Sequence, residues 1–370
     1  MCQVLVLSVF NGFEGLVKSL YSNFYADIKV LPASGKTFTL TQSQLKNIQK
    51  IPGIKGTSFN LEEKALLQSG EDQTVVLLRG VDSNYYKVSG VPEKMYHGGF
   101  NVGTLDHPEI VLGVGIESAL GVQADRNLMP VTVFLPKKSN SNNPLAALSE
   151  GNTTTSGSFA IQQDFDSKYV FTNIAFMKQQ MNYQPDEYSA LEVSLLDPDQ
   201  SGKFTQLLQN ELGNNYKILT KYQQNTSLYN SMILEKWFTY GVLTLILIIA
   251  AFNMVGALTM LVLEKRKDIS VLQSLGADRL LVKKIFLSEG ILLAAVGAGT
   301  GIIMALIISF LQMKFHLIKL VGNSFLIDYF PVKLVLTDFI LVVFTSVIIA
   351  FAASWFPARK ASQQIFNLKA

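Results

Sequence analysis

The residue types that carry most enzyme chemistry are thinly spread in this sequence. His97, His107 and His316 lie far apart, and no H-E-x-x-H, C-x-x-C or G-x-S-x-G spacing occurs. The spacings that build a zinc site, a redox pair or an activated serine are therefore missing. His97 beside Gly98-Gly99 and His107 before Pro108 read as loop residues. "DPDQSGKF" holds a Gly-Lys pair but lacks the first glycine of a phosphate-binding loop, so ATP binding by that route is not expected. "VGAGTGII" has no strand before it and sits inside an apolar run; its Gly297 and Gly301 form a G-x-x-x-G pair that lets another helix approach. Glu289, close to the start of that run, reads as an interfacial carboxylate paired with Lys283, Lys284 or a neighbour. With Cys2 the only cysteine, neither disulfides nor a thiolate metal cluster can form within the chain. No catalytic residue and no metal ligand is expected.

What remains is the chemistry of docking. "LVLEKRKDISVLQSLGADRLLVKKIF", Leu261 to Phe286, separates two apolar runs. Lys265, Arg266, Lys267 and Asp268 crowd its start, Ile269, Leu272 and Leu275 share one helical face, Gly276 suits a helix stop, and Asp278 can cap the helix that follows. A mere connection needs only a few residues. The segment either rests on the lipid surface with its bases towards anionic headgroups, or inserts into a cytoplasmic partner as a coupling helix.

The flanking elements must be membrane helices. Trp237–Leu263, Gly290–Leu311 and Phe339–Phe356 carry no charge over 27, 22 and 18 residues. At about 1.5 Å per residue these reach or approach a hydrocarbon core of about 30 Å. Six basic residues lie within 264–284, against three (Lys314, Lys319, Lys333) within 314–333. The segment 264–284 is therefore cytoplasmic, and Arg359 and Lys360 agree. The polar region before Trp237 then lies outside, and only the N-terminus can supply the further span. Its uncharged stretch, Met1–Phe13, is short, and Phe13, Leu16, Val17, Leu20 and Phe24 continue it as an amphipathic stalk. The expectation is an incomplete first span with residues upstream; the alternative is a half-buried N-terminal helix.

Between stalk and second span, 25–236 is polar and rich in Asn, Gln, Ser and Lys. "ADIKVLPASGKTFTLTQSQLKNIQKIPGIKGTSFN" and "SALEVSLLDPDQSGKFTQLLQNELGNNYKILT" both read as strand, helix, strand. They suggest one sheet built from both ends, with 80–160 as an inserted lobe. "SNSNNPLAALSEGNTTTSGS" has the composition of a loop. The fold class is an α-helical membrane protein with four spanning helices, the first incomplete, and an α+β periplasmic domain of β-α-β units. The divisions are 1–24 (partial first span and stalk), 25–236 (periplasmic), 237–263 (second span), 264–284 (coupling), 285–312 (third span), 313–335 (periplasmic loop), 336–357 (fourth span) and 358–370 (cytoplasmic tail). The modest charge of +3 and the absence of a basic stripe argue against nucleic acid.

Four stretches resemble the FtsX-like permeases of MacB-type ABC transporters, and among them the lipoprotein-releasing subunits: "VLSVFNGFEGLVKSL", "PEIVLGVGIESALGV", "AFNMVGALTMLVLEKRKDISVLQSLGA" and "WFPARKAS". The resemblance spans nearly the whole chain and is most specific at the coupling stretch. It departs from the family in the short first span and in Ala124-Asp125, where Gly-Asp is frequent. The resemblance implies a bacterial inner-membrane permease that dimerises with an identical or related subunit and works with two copies of a separate ABC ATPase. ATP and Mg would be bound by that partner, with no cofactor in this chain. Residues 265–269 with Leu272, Leu275 and Gly276 would couple to the ATPase. Val9, Phe10 and Phe13 on the first span, with Phe252, Met254, Val255 and Leu258 on the second, would meet the acyl chains of lipoprotein cargo entering from membrane lipid. Alternatives are a MacB-like mechanotransmission permease exporting a peptide or small amphiphile, and a membrane-anchored structural or sensor protein without an ATPase.

Overall fold

The computed structural model describes residues 1–126, 129–138, 148–319 and 329–363. They form two compact units. One holds Met1–Leu16 and the described parts of Asn230–Val321 and Ile327–Ala370, the other Val17–Tyr229, and helix α1 (Cys2–Phe24) contributes to both.

The second unit opens with β1 (Ile28–Pro32), β2 (Phe38–Thr39), α2 (Gln42–Lys50) and β3 (Ile54–Ser69). A capping box of Thr41 and Gln44 starts α2, which buries Ile48. Next come β4 (Asp72–Val81), β5 (Met95–Gly98), β6 (Glu109–Gly113), α3 (Val114–Ala119), β7 (Val131–Pro136), β8 (Leu148–Phe159), α4 (Gln163–Asp166), β9 (Tyr169–Asn173), α5 (Ile174–Met181) and β10 (Glu187–Tyr188). The unit closes with β11 (Ala190–Leu195), α6 (Ser201–Leu212), β12 (Tyr216–Thr220) and α7 (Lys221–Gln224). Ten strands make one sheet in the order β12-β1-β11-β3-β4-β9-β6-β8-β5, with β7 pairing β3 and β8. The two strand-helix-strand segments interleave: β11 lies between β1 and β3 and antiparallel to both, the split arrangement of a ferredoxin-like half.

Two expectations are corrected here. Residues 80–160 are not a separate lobe, because β3 is long enough, at 16 residues, to pair β11 with its first half and to offer its second half to β4 and β7. The intervening strands therefore extend the same sheet. Of the expected loop, 139–147 lie outside the described residues, and the remainder belongs to β8. Its polar composition conceals a strand because the buried hydroxyls of Ser149 and Thr153 donate to the carbonyls of Leu135 and Val131. A buried hydroxyl with a partner costs little.

A charge is buried on one face of this sheet. Arg79 is 1% exposed, donates to Glu62 at 2.7 Å and to Glu192 at 3.3 Å, and stands 4.9 Å from the Phe24 ring and 5.3 Å from the Tyr169 ring. Burial opposes charge on Glu62, but Arg79 and Lys29 outweigh it and hold the carboxyl down at about 2. The end of α1 is thus tied into this unit, with Phe24 stacked on Phe165 at 4.2 Å.

The stretch "PEIVLGVGIESALGV" becomes β6 and α3. A side chain at Gly113 would strike the Asp166 carbonyl, 2.1 Å from the Cβ position, so only glycine lets the two segments meet. Asp166 accepts from the Ile161 N–H at 2.9 Å, yet burial pushes its carboxyl up to about 6. The folded form therefore binds this proton more tightly than the unfolded chain, and stability falls as pH rises from about 4 to 6. We predict that Asp166→Asn flattens this part of the stability–pH profile. Relative to wild type it gains up to roughly 3 kcal/mol at pH 7 and little at pH 4, the size of a shift of about two units; denaturant unfolding at both pH values checks it.

The first unit consists of the first part of α1 with α8 (Thr226–Glu264), α9 (Arg266–Ser274), α10 (Arg279–Phe315) and α11 (Leu336–Ser362). Among the described residues, α1, α8, α10 and α11 are long and apolar enough to cross a membrane. The 23 residues of α1 span about 35 Å. Val4 and Leu7 pack against Ala305 of α10 and Val342 of α11. Gly12 lies where a Cβ would be 2.1 Å from the Pro331 carbonyl, and Lys333 N donates to Ser8 O at 2.9 Å. Gly290 of α10 lies where a Cβ would be 2.1 Å from Ser354 Oγ of α11. Gly297 has no described neighbour within 4 Å of that position, and Gly301 meets the Met1 backbone nitrogen at 3.0 Å. Within the chain, close contact therefore falls on Gly290 and on Gly301 of the glycine pair singled out by spacing, and not on Gly297.

Candidate functional site

The join between α8 and α10 is more sharply built than its composition suggests. α8 ends at Glu264, Lys265 forms the N-cap of α9, and α9 stops after nine residues at Ser274. Gly276 takes φ +97°, and the Gly276 and Ala277 N–H groups return to the carbonyls of Gln273 and Leu272. Asp278 then caps α10, accepting from Leu281 N at 2.7 Å. The expected coupling segment 264–284 is shortened by this cap, because residues 279–284 are already the first turns of α10.

The expected apolar face also divides. Ile269 is 3% exposed and sits in a core with Val262, Val282, Phe286, Ala358 and Ala361, so it holds α9 to the ends of α8, α10 and α11. Leu272 is 40% exposed and Leu275 80%, and Val271, not picked out by spacing, is exposed beside them. Arg266 and Lys267 are exposed, and Lys265 reaches the Asp268 carboxylate at 3.1 Å in a surface pair of little energetic weight. The outcome is a fixed peg with an apolar tip and a basic flank. It contains no nucleophile poised beside a base. It can dock.

Behind the peg lies a cleft of about 210 Å³ lined by Lys265, Asp268, Leu272 and Glu289. No hydrogen bond or ion pair joins Glu289 to another described residue. The pairing expected with Lys283 does not form because that ammonium lies 3.5 Å from the centre of the Trp355 ring, a cation–π contact.

The acyl-chain candidates do not converge within the chain. Phe252, 69% exposed, and Val255 line an apolar groove of about 560 Å³ with Ile348, Ala352 and Phe356 of α11. Leu258 is buried at 2% against α10 near Gly290, so it packs helices rather than meeting a ligand. Met254 is half-buried on the same helix. Val9, Phe10 and Phe13 are half-buried on α1, where Phe13 meets Phe330 edge-on at 5.7 Å. Of the histidines expected in loops, His97 instead belongs to β5 and faces Glu117 at 3.3 Å, while His107 does lie in a loop, its N–H donating to Thr104. His316 ends α10 with φ +48°, its ring 3.7 Å from that of Tyr329.

Residues 240–364, which hold most of the apolar run of α8 together with α9, α10 and α11, match the family model described as FtsX-like permease C-terminal. Over almost its full length the chain is similar to two curated proteins. One is the lipoprotein-releasing system transmembrane protein LolC of Neisseria meningitidis serogroup B, 28% identical, with 97% of this chain and 88% of that one covered. The other is the lipoprotein-releasing system transmembrane protein LolE of Haemophilus influenzae, 24% identical at the same coverage. Among solved structures, the periplasmic region of MacB from Actinobacillus actinomycetemcomitans matches with 12% identity and a TM-score of 0.39, over 58% of this chain and 98% of that one.

The two roles on α9 separate by substitution. Ile269→Ala is expected to destabilise the membrane unit by about 2–4 kcal/mol, as buried large-to-small changes do, whereas Leu275→Ala stays within about 0.5 kcal/mol of wild type. Thermal unfolding of the full-length protein in detergent measures both.

Proposed function

We propose that this chain is the permease subunit of an ABC transporter that extracts lipoproteins from the bacterial inner membrane, driven by ATP hydrolysis in a separate, LolD-like ATPase. The observation that carries this reading is the exposed apolar tip of Val271, Leu272 and Leu275, held by Ile269 between two spanning helices. The full-length similarity to LolC and LolE supports it. The soluble unit is then periplasmic, and two permease subunits, identical or related, complete the transporter. ATP and Mg belong to the ATPase. Closure of the ATPases on ATP would displace α9, and α8, continuous from Thr226 to Glu264, would carry the displacement outward. Gly297, with open space at its Cβ position, is free to pack against the second subunit.

Leu272→Asp with Leu275→Asp should leave the protein inserted while lowering stimulated ATPase activity by about tenfold or more, since a carboxylate driven into an apolar cleft loses its water without gaining a partner. Reconstitution with the ATPase, and release of a triacylated lipoprotein from proteoliposomes to a soluble acceptor, tests the whole reading. Undiminished ATPase coupling in the double variant removes the docking role of α9. Transport of a small amphiphile with no lipoprotein release assigns the chain to export instead.

Of the acyl-chain candidates, all but Leu258 remain proposed contacts: Val9, Phe10, Phe13, Phe252, Met254 and Val255. Phe252→Arg should abolish release while sparing assembly and basal ATPase activity, because a guanidinium at the centre of a span costs roughly 2.5–3.5 kcal/mol. The same reconstituted release assay reads it, and wild-type release by this variant excludes Phe252 from the cargo path.

A further inference from the structure

A second cleft of the membrane unit, about 490 Å³, lies between the N-terminal turns of α11 and the part of α8 where its apolar run begins. Its charged end is ordered. Lys236 Nζ donates to Asn11 Oδ1 at 2.9 Å and lies 3.1 Å from Asp338 Oδ2, and Asn11 Nδ2 donates to the same carboxylate oxygen at 2.6 Å. Three helices thus meet at one ion pair. An ammonium has three donors and a carboxylate two oxygens. Among the described residues the pair uses two of the donors and one of the oxygens, and the Lys236 side chain is still 27% exposed. Glu14 lines the same end.

From that end both walls grade from charged to apolar in the same direction. α8 runs from Lys236 through Trp237 to Tyr240, and α11 from Asp338 through Leu341 to Phe344, each within about two helical turns. Leu7 of α1 lines the cleft as well. Trp237 and Tyr240 are the aromatic types that mark the boundary between hydrocarbon and headgroups. The cleft therefore has the profile of one amphiphile: a head that offers both signs of charge, then a chain.

The charges specify the head. The ion pair leaves one Asp338 oxygen and one Lys236 donor for the head, so a headgroup carrying only a phosphate negative charge leaves that carboxylate oxygen unmatched. A primary ammonium can donate to that Asp338 oxygen, while a quaternary ammonium has no N–H to give. We propose that this cleft binds a zwitterionic glycerophospholipid bearing a primary ammonium, with its phosphate on Lys236, its ammonium on Asp338, and one acyl chain along Leu341 and Phe344. The lipid would brace the junction of α1, α8 and α11. The proposal requires only that these helices lie in a bilayer and is independent of the transport reading.

The chain has two tryptophans, Trp237 and Trp355. In the full-length Trp355→Phe protein, Trp237, 58% exposed beside the cleft, becomes the sole indole reporter. This protein is reconstituted without ATPase or cargo in phosphatidylcholine bilayers. Phosphatidylethanolamine, phosphatidylcholine or phosphatidylglycerol with brominated chains is then titrated in. The brominated phosphatidylethanolamine should quench Trp237 at a several-fold lower mole fraction than the other two. Adding Lys236→Gln, which keeps a donor for Asn11 and Asp338, should bring the three curves together. Equal quenching in the parent overturns the proposal without recourse to any polar variant, and so does a preference for phosphatidylglycerol. Absence of quenching by every lipid also overturns it, and is the result expected if a second protein surface covers the cleft. A preference for phosphatidylethanolamine that survives both Lys236→Gln and Asp338→Asn places the lipid elsewhere.

Discussion

A helix of nine residues has too few internal hydrogen bonds to persist alone in water, where about 12 to 15 residues are needed even for favourable sequences. The site on α9 therefore depends on the burial of Ile269 among Val262, Val282, Phe286, Ala358 and Ala361. Two of those neighbours are alanines, which let the helix approach closely while leaving Leu272 and Leu275 in the open. One inward side chain fixes the position, and the turn at Gly276 with the cap at Asp278 fixes the ends. A force applied to the exposed leucines would pass through that small core into α8, α10 and α11 rather than being absorbed by local unfolding.

The same logic governs polar groups on the spanning helices. Asn11, Lys236 and Asp338 would each be costly beside hydrocarbon, yet each finds its partners in the other two. The result is a tie between three helices that apolar packing alone would leave free to slide, since lipid chains compete equally with leucine for leucine. Glycine supplies the complementary device where neighbours come close, at Gly12 against the Pro331 backbone and at Gly290 against the Ser354 side chain. In the unit that holds the sheet the buried guanidinium of Arg79 between Glu62 and Glu192 plays a corresponding part, joining β3, β4 and β11 and facing the Phe24 ring at the end of α1.

Hydrophobic run length, the basic residues beside it and local helix signals were legible in the chain because each depends only on neighbours in sequence. They determined the apolar runs long enough to span, the stop at Gly276 and the cap at Asp278. Periodicity placed Ile269, Leu272 and Leu275 on one side of a helix but could not say that the first faces inward and the last outward, because that division depends on where α10 and α11 come to lie. Polar composition likewise concealed β8, whose hydroxyls are satisfied only by carbonyls on a strand that closes against it. Asn11, Lys236 and Asp338 are scattered over more than 300 positions of sequence, and no local pattern links them. Tertiary structure decided these features because a partner distant in the chain contributes nothing to local propensity, and only the folded arrangement makes it a neighbour.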